Sequence, residues 1–496
     1  MKNALLLSGA LLLAGCAAVG PDYVRPNVDL SANYAFAHSP DLWHAANDRW
    51  WTALNDPLLN HLMEKGLAQN LEVKEAEARI EQAVALYRAT GGVAQVSGNL
   101  TASATRRIRD GERTNPSFND SVVQVDGNFA FDLFGRERRN RERAYRQLEA
   151  TAYQAGTANL AFQSQLTSAV VQARFFQAIE AVTNRTIANR RRIVALTDEI
   201  AERGELTRVD RARARAELSL ALADLPSIRN GLRRSAVQIA TLLNEPVDPI
   251  LHRLQQSRGQ PAPSRTRKAG VPANLLRNRP DVLAAERSLA AAFSAIGVAE
   301  AQLYPELRLQ GSIQLDSSRL DDVRFGPAVS LPLLSRGRLR AQRDAAVAEA
   351  KEAEFAWRQE IREAVGDVEN ALLELRSRRE EIDARAQALA DYRRLNQLSR
   401  ETFELGVTTL LELLDADQEI RSVDLQLAQS RRDLALGVAR LAVATGRGWN
   451  AGAAGPKPPL EIEDETIPPV VAPEPTAPAA PGSKPILTDP VVVAVR

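Results

Sequence analysis

The sequence predicts a mainly α-helical chain carrying part of a transmembrane β-barrel, built from one unit used twice: helix, strand, strand, long helix, turn, helix. Three observations predict it. Segments of about ten residues alternate polar with apolar side chains, two proline-free stretches far outrun an ordinary helix, and the features of the first half return in the second.

The chain opens with Lys2, an apolar run from Ala4 to Leu13 and small residues before Cys16, the layout of a secretory signal over residues 1–15. That run is too short to span a bilayer as a helix. Leu13-Ala14-Gly15-Cys16 matches a lipobox, so the thiol of Cys16 is expected to be acylated and to tether the mature chain to a membrane. An ordinary signal peptide with a chance cysteine is the other reading. Cys16 is the only cysteine in 496 residues, so no internal disulfide can form. Ala17, standing where Asp would retain a lipoprotein, suggests sorting to the outer membrane.

Strands are expected at about 95–106, 121–133, 306–316 and 322–332. In the first, Ser97, Asn99, Thr101, Ser103 and Thr105 share one face, and Gly98, Leu100, Ala102 and Ala104 the other. Val123, Val125, Phe129 and Phe131 oppose Gln124, Asp126, Asn128 and Asp132 in the second. The third sets Leu307, Leu309, Ile313 and Leu315 against Arg308, Gln310, Ser312, Gln314 and Asp316, and the fourth alternates more loosely through Val323, Phe325, Val329 and Leu331. Each is long enough to cross a bilayer as a tilted strand. A half-buried sheet of a soluble protein shows the same alternation. In lipid, four strands fall short of the roughly eight of the smallest barrels, and each unpaired edge group costs several kcal/mol. Copies must then pool strands, and three copies supply a twelve-stranded barrel with a lumen lined by Asn, Gln, Ser and Asp.

The helices come next. Residues from Arg336 to Phe403 read as one helix about 100 Å long, followed by a turn at Gly406 and a second helix from Thr409 to Ala444. The stretch from Arg136 to Leu225 repeats this around Gly204, and Pro226 kinks its second helix without ending it. Leu160, Leu166, Val170, Phe176 and Ile179 mark a narrow apolar stripe, as expected where both sides of a helical wall are wet; an ordinary structural coiled coil is the alternative. "RRR" at Arg190 to Arg192 reads as a solvated helix face. A linker with Pro246, Pro249, Pro261, Pro263 and Pro272 separates the halves, and the proline-dense tail from Ala453 reads as extended or disordered.

Several function classes are not indicated. With 63 basic and 62 acidic residues, no general nucleic-acid-binding surface is expected. The four histidines, His38, His44, His61 and His252, show no i, i+4 pairing, and no phosphate loop or nucleophile elbow is present. "GRGWNAG" near Gly446 follows a helix and reads as its stop. No catalytic, cofactor-binding or metal residue is assigned, and no cofactor is expected.

The lipobox with "VGPDYVRP", "LFGR" after the second strand, "TLLNEP", "RPDVLAAERSLAAA" and "GVTTLLELLDADQ" together resemble the TolC family of outer-membrane efflux ducts, in its lipoprotein branch (OprM/NodT-like) serving tripartite RND systems. The likeness covers about residues 16 to 450. It implies a homotrimer whose outer-membrane barrel continues into a periplasmic α-helical barrel, with 16–60 and 246–275 contributing to an equatorial region. The repeats would be 61–245 and 276–450, with the tail 451–496 outside the family core. The implied partners are a periplasmic adaptor, an inner-membrane RND transporter and outer-membrane lipid, with no nucleic acid. The implied activity is passive export of drugs or other small toxic compounds. A duct for protein or peptide secretion, or a non-conducting lipoprotein scaffold, remain the alternatives.

The turns at Gly204 and Gly406 are then expected to form the periplasmic tip. Glu412 and Asp415, three apart, share a helix face. The resemblance implies that these acids form a lumenal gate, with Leu411 and Leu414 on a neighbouring stripe and Arg208, Asp210 and Arg211 of the other turn supplying salt bridges. The plainer reading makes them favourable acids near a helix N-terminus, each contributing about 0.3 to 1 kcal/mol.

Overall fold

A computed structural model describes residues 18–36, 49–107, 118–204, 206–263, 272–316 and 319–449. The leader, Cys16 and the tail 451–496 lie outside the described residues.

Two helices, α1 (Pro57–Gln69) and α2 (Leu71–Arg88), lead into β1 (Val96–Arg107) and β2 (Phe118–Phe131), then α3 (Arg136–Glu202) and α4 (Arg208–Leu243). After α5 (Val247–Gln256) the scheme returns as α6 (Pro280–Ala301), β3 (Glu306–Asp316), β4 (Arg319–Ser330), α7 (Arg336–Glu404) and α8 (Leu410–Ala444). At 67 and 69 residues, α3 and α7 each extend about 100 Å. Pro226 sits inside α4, as expected.

The expected linker contains a helix, α5. Val247, Ile250, Leu251 and Leu254 fall at helical spacing, and Pro249 lies in the first turn, where a missing N–H is harmless. Ile250 and Leu254 are buried.

The four strands form one antiparallel sheet in chain order. Gly98, Gly127 and Gly311 stand in one cross-strand row. β2 ends at Phe131, short of the expected 133, because Asp132 turns to cap α3, accepting from the N–H of Glu137 (3.1 Å) and Arg138 (2.9 Å). β4 ends at Ser330 and not at 332, since Pro332 offers no N–H to continue a ladder. Among the described residues, nothing covers either face of the sheet. Leu100 (72% exposed), Phe325 (77%) and Val329 (70%) stand on the apolar side. The other side is polar, with Gln124 donating to Asp126 (2.8 Å) and Arg324 paired to Asp322 (2.6 Å).

The main core lies among the helices below the sheet, where Trp50, Leu59, Met63, Phe162, Leu166, Ile239, Leu243, Trp357 and Ile361 are buried together. Within the expected stripe, Leu160, Leu166 and Val170 are buried, while Phe176 and Ile179 are half-buried. Among the described residues α6 is the one helix long and apolar enough to cross a membrane, but it packs between α3 and α7.

Candidate functional site: the two hairpin tips

Each half ends its long helix in the same device. At the first tip Gly204 takes φ 83°, in the left-handed region glycine favours, and Thr207 opens α4. Thr207 Oγ1 accepts from the N–H of Asp210 (3.2 Å), while the Asp210 carboxylate accepts from the N–H of Thr207 (3.2 Å). At the second, Gly406 takes φ 71° and Thr409 exchanges the same two bonds with Glu412, at 3.3 and 3.4 Å. Both tips therefore carry reciprocal capping boxes.

The expected gate residues divide. Leu411 (47% exposed), Glu412 and Asp415 face outward on the first turns of α8. Leu414 does not join them. It is buried with Leu410 and Leu413 against Ile193, Ile200 and Phe403, because it lies one turn beyond Leu410 on the inward face. Among the described residues the expected salt bridges from the first tip to the gate acids are also not formed. Asp210 is occupied by its cap, and Arg211 pairs with Asp198 of α3 (2.8 Å), which Arg215 also reaches (3.2 Å). These guanidinium hydrogen bonds hold the Asp198 carboxyl below the usual carboxylate range. Among the described residues, neither Arg208 nor Arg211 bonds to Glu412 or Asp415.

The expectation of a solvated arginine run holds for two of its three residues. Arg191 and Arg192 are exposed, but the Arg190 side chain is 2% exposed. It pairs with Glu217 of α4 (3.0 Å) and with Asp417 of α8 (3.4 Å), and donates to Gln418 (3.0 Å). Burial pushes the Asp417 carboxyl above its ordinary value, against the opposing pull of Arg190. Sequence reading passed over this lock because its partners lie far apart in the chain. The one available signal was an acid, Asp417, at the inward spacing of Leu410, Leu413 and Leu414.

Other motif residues hold the frame. Arg279 binds Asp281 and Asp367 (2.8 Å to the latter), tying the start of α6 to α7. Phe134 stacks on Tyr304 at the foot of the sheet, with ring centroids 4.7 Å apart. Val19 donates its N–H to Phe134 O (3.0 Å), and Arg139 clamps Asp22 (2.7 Å). A Cβ on Gly135, itself at φ 77°, would come within 2.4 Å of Ala18 Cβ, so the segment beginning at Ala18 is pressed against the β2–α3 turn. Among the described residues no group of three or more His, Cys, Asp or Glu is arranged to hold a metal ion.

The family model "Outer membrane efflux protein" matches residues 62–245 and 271–447. Nodulation protein T of Rhizobium leguminosarum bv. trifolii is 32% identical over 89% of this chain and 96% of its own. The pyoverdine export outer membrane protein OpmQ of Pseudomonas aeruginosa is 26% identical, covering 92% of this chain and 98% of that one. Among solved structures, the outer-membrane channel OprN matches with a TM-score of 0.78 at 28% identity, over 88% of this chain and 100% of that one. CusC shares the fold, with a TM-score of 0.75 at 22% identity over 87% of this chain and 100% of its own. On its fold and on a family match spanning most of its length, the chain belongs to the outer membrane efflux protein family, whose members are outer-membrane channels and not enzymes.

Proposed function

We propose that three copies join their four-stranded sheets into a twelve-stranded barrel, and that the chain serves as the passive outer-membrane duct of a tripartite pump. Its partners would be an inner-membrane RND transporter and a periplasmic adaptor, and its cargo drugs or other small toxic compounds. The carrying observation is a sheet that exposes an apolar face and a polar face at once, with β1 and β4 at its edges. Closure with copies would put the apolar face in lipid, line the lumen with the polar face and pair both edges.

Acylation of Cys16 fits the same placement. Ala18, the first described residue, rests on Gly135 at the foot of the sheet. Acyl chains on Cys16 would enter the membrane beside the barrel. At the other end, Leu411, Glu412 and Asp415 are available to line a constriction, and three copies would gather six carboxylates into a cation-attracting ring. The test is mass and conductance together: detergent-extracted protein at three times the protomer mass that conducts in a planar bilayer. A well-folded monomer, or a trimer that never conducts, sinks the duct reading, and the second outcome favours a scaffold.

A further inference from the structure

Directly below the sheet, the first turns of α3 and α7 carry arginines in two stripes. Arg136, Arg139 and Arg143 stand at i, i+3 and i+7 on α3, and Arg336, Arg340 and Arg343 at i, i+4 and i+7 on α7. Both stripes face the side of the helical wall on which the segment beginning at Ala18 lies. Arg139 donates to Val19 O and Gly20 O (3.2 Å each). Arg336 and Arg343 stand three and two heptads before Trp357, over whose ring Arg25 of that segment lies (6.0 Å).

The neighbouring acids do not balance these cations. Glu137 pairs with Arg136 (3.2 Å) and Glu142 with Arg139 (3.0 Å), while α7 has no acid before Asp344. Asp344 and Glu300 both hold Arg343 (2.8 and 3.3 Å). Arg143, Arg336 and Arg340, all exposed, are left with no ion pair among the described residues. Just above them Leu331, Leu333 (66%) and Leu334 are exposed, carrying the apolar character of the sheet past the end of β4. At 1.5 Å per residue the three unpaired arginines lie within about 11 Å of the helix starts. A headgroup layer is about 5 to 8 Å deep on each side of the hydrocarbon, and arginine reaches back toward it along its apolar stem.

We propose that these arginines form a collar that docks on the phosphate groups of anionic phospholipids, in the leaflet on the helical side of the sheet, and gathers such lipids round its foot. The proposal rests on the membrane placement of the sheet and extends it from an apolar fit to a choice among headgroups. Guanidinium and phosphate pair through two parallel hydrogen bonds, so arginine suits this partner better than a point charge would. A zwitterionic headgroup brings its own cation beside the phosphate, whereas an anionic one does not. The collar should therefore discriminate between the two, most strongly where the leaflet's own negative potential adds to the attraction.

Lipid retention tests this. The full chain is placed in vesicles made from an equal mixture of phosphatidylglycerol and phosphatidylcholine, extracted in mild detergent, and its bound lipids are counted by native mass spectrometry. Wild-type protein should hold phosphatidylglycerol in severalfold excess, and the excess should fall in about 0.5 M salt. Arg143→Gln, Arg336→Gln, Arg340→Gln should return the ratio to that of the vesicles. Arg191→Gln, Arg192→Gln, Arg394→Gln removes the same charge far along the same two helices and should keep the excess. A collar variant that still enriches phosphatidylglycerol, or a distal variant that loses it equally, overturns the collar. Loss of the trimer in the collar variant, read by light scattering, would assign these arginines to contacts between copies and overturn it as well. A wild-type trimer that conducts but shows no excess overturns the collar alone, whereas a chain that never enters vesicles removes the membrane placement with it.

Discussion

At one tip Gly204 reverses the chain and Thr207 caps α4; at the other Gly406 reverses it and Thr409 caps α8. The backbone device is the same, but the chemistry along the return helix is opposite. Arg208, Arg211, Arg213 and Arg215 follow the first turn, while Glu412, Asp415, Asp417 and Glu419 follow the second. The apolar residues differ as well: Leu410, Leu413 and Leu414 build a small core where the first tip has Arg208, Arg211 and Ala212. A duplicated unit can keep what its fold demands of the backbone and still diverge in what each copy touches. The first tip binds back to its own long helix through Asp198, whereas the second inserts Asp417 against Arg190 of α3, which also holds Glu217 of α4.

The largest expected effect comes from breaking that insertion. Arg190→Ala leaves Asp417 buried without its cation, a change that costs about 3 to 5 kcal/mol. Arg191→Ala, on the exposed side of the same helix, should stay within about 0.5 kcal/mol. Thermal melting of the two variants reads the difference directly. Equal melting temperatures would mean that Arg190 is solvated after all. The paired replacement Arg190→Met, Asp417→Leu should recover most of the loss, because matched apolar groups need no desolvation offset.

The gate comes next, and its two readings can be separated chemically. Glu412→Gln keeps an acceptor for the Thr409 N–H, so the capping box survives while the charge goes. Combined with Asp415→Asn, it should lower cation over anion permeability severalfold and abolish block by multivalent cations if these acids ring the lumen. Wild-type selectivity in that double variant, measured on a trimer, would leave Glu412 a cap and nothing more. Leu411→Ser should raise the leak, whereas Leu414→Ser should chiefly lower stability, since Leu414 is buried.

What the sequence revealed follows from which signals are local. Alternation in β1 to β4 and the proline-free lengths of α3 and α7 are set by neighbours along the chain, and these elements fall within a few residues of expectation. The turns at Gly204 and Gly406 are set equally locally, by a glycine between two helical stretches. Arg190 was not legible, because a run of three arginines looks solvated until a carboxylate 227 positions away closes on one of them. Leu411 and Leu414 could not be told apart either. In "LLELLDADQ" apolar residues occupy both sides of the first turn, and only the packing of α8 on α3 decides which side is inside. In α5, the prolines that marked a linker concealed a helical apolar spacing.

Smaller effects test whether the two backbones are equivalent. Thr207→Ala and Thr409→Ala each remove one capping acceptor and should cost about 1 kcal/mol apiece. A loss confined to one tip would show that the shared device is a coincidence of geometry. Gly204→Ala and Gly406→Ala meet no neighbouring atom within 4 Å, so each should cost only the left-handed backbone term, about 1 kcal/mol.

Acid should act on the two tips with opposite sign, and this is the smallest effect expected. Asp198 is held below its ordinary range by Arg211 and Arg215. Its contribution is therefore fully present above the unfolded carboxyl value, near pH 4, and is lost as pH falls through the lower folded value. Asp417 is raised by burial, so the folded chain takes up its proton more readily than the unfolded chain. That group penalises the fold above its raised value, and the penalty fades as pH falls toward the unfolded one. Asp198→Asn should consequently flatten the loss of stability on acidification below about pH 4, while Asp417→Asn should steepen the loss as pH falls toward the unfolded carboxyl value by removing a compensating uptake. Melting temperatures of the two variants and the wild type at stepped pH measure both slopes. If both substitutions bend the curve the same way, Asp417 is held by Arg190 as an ordinary ion pair, and burial does not set its titration.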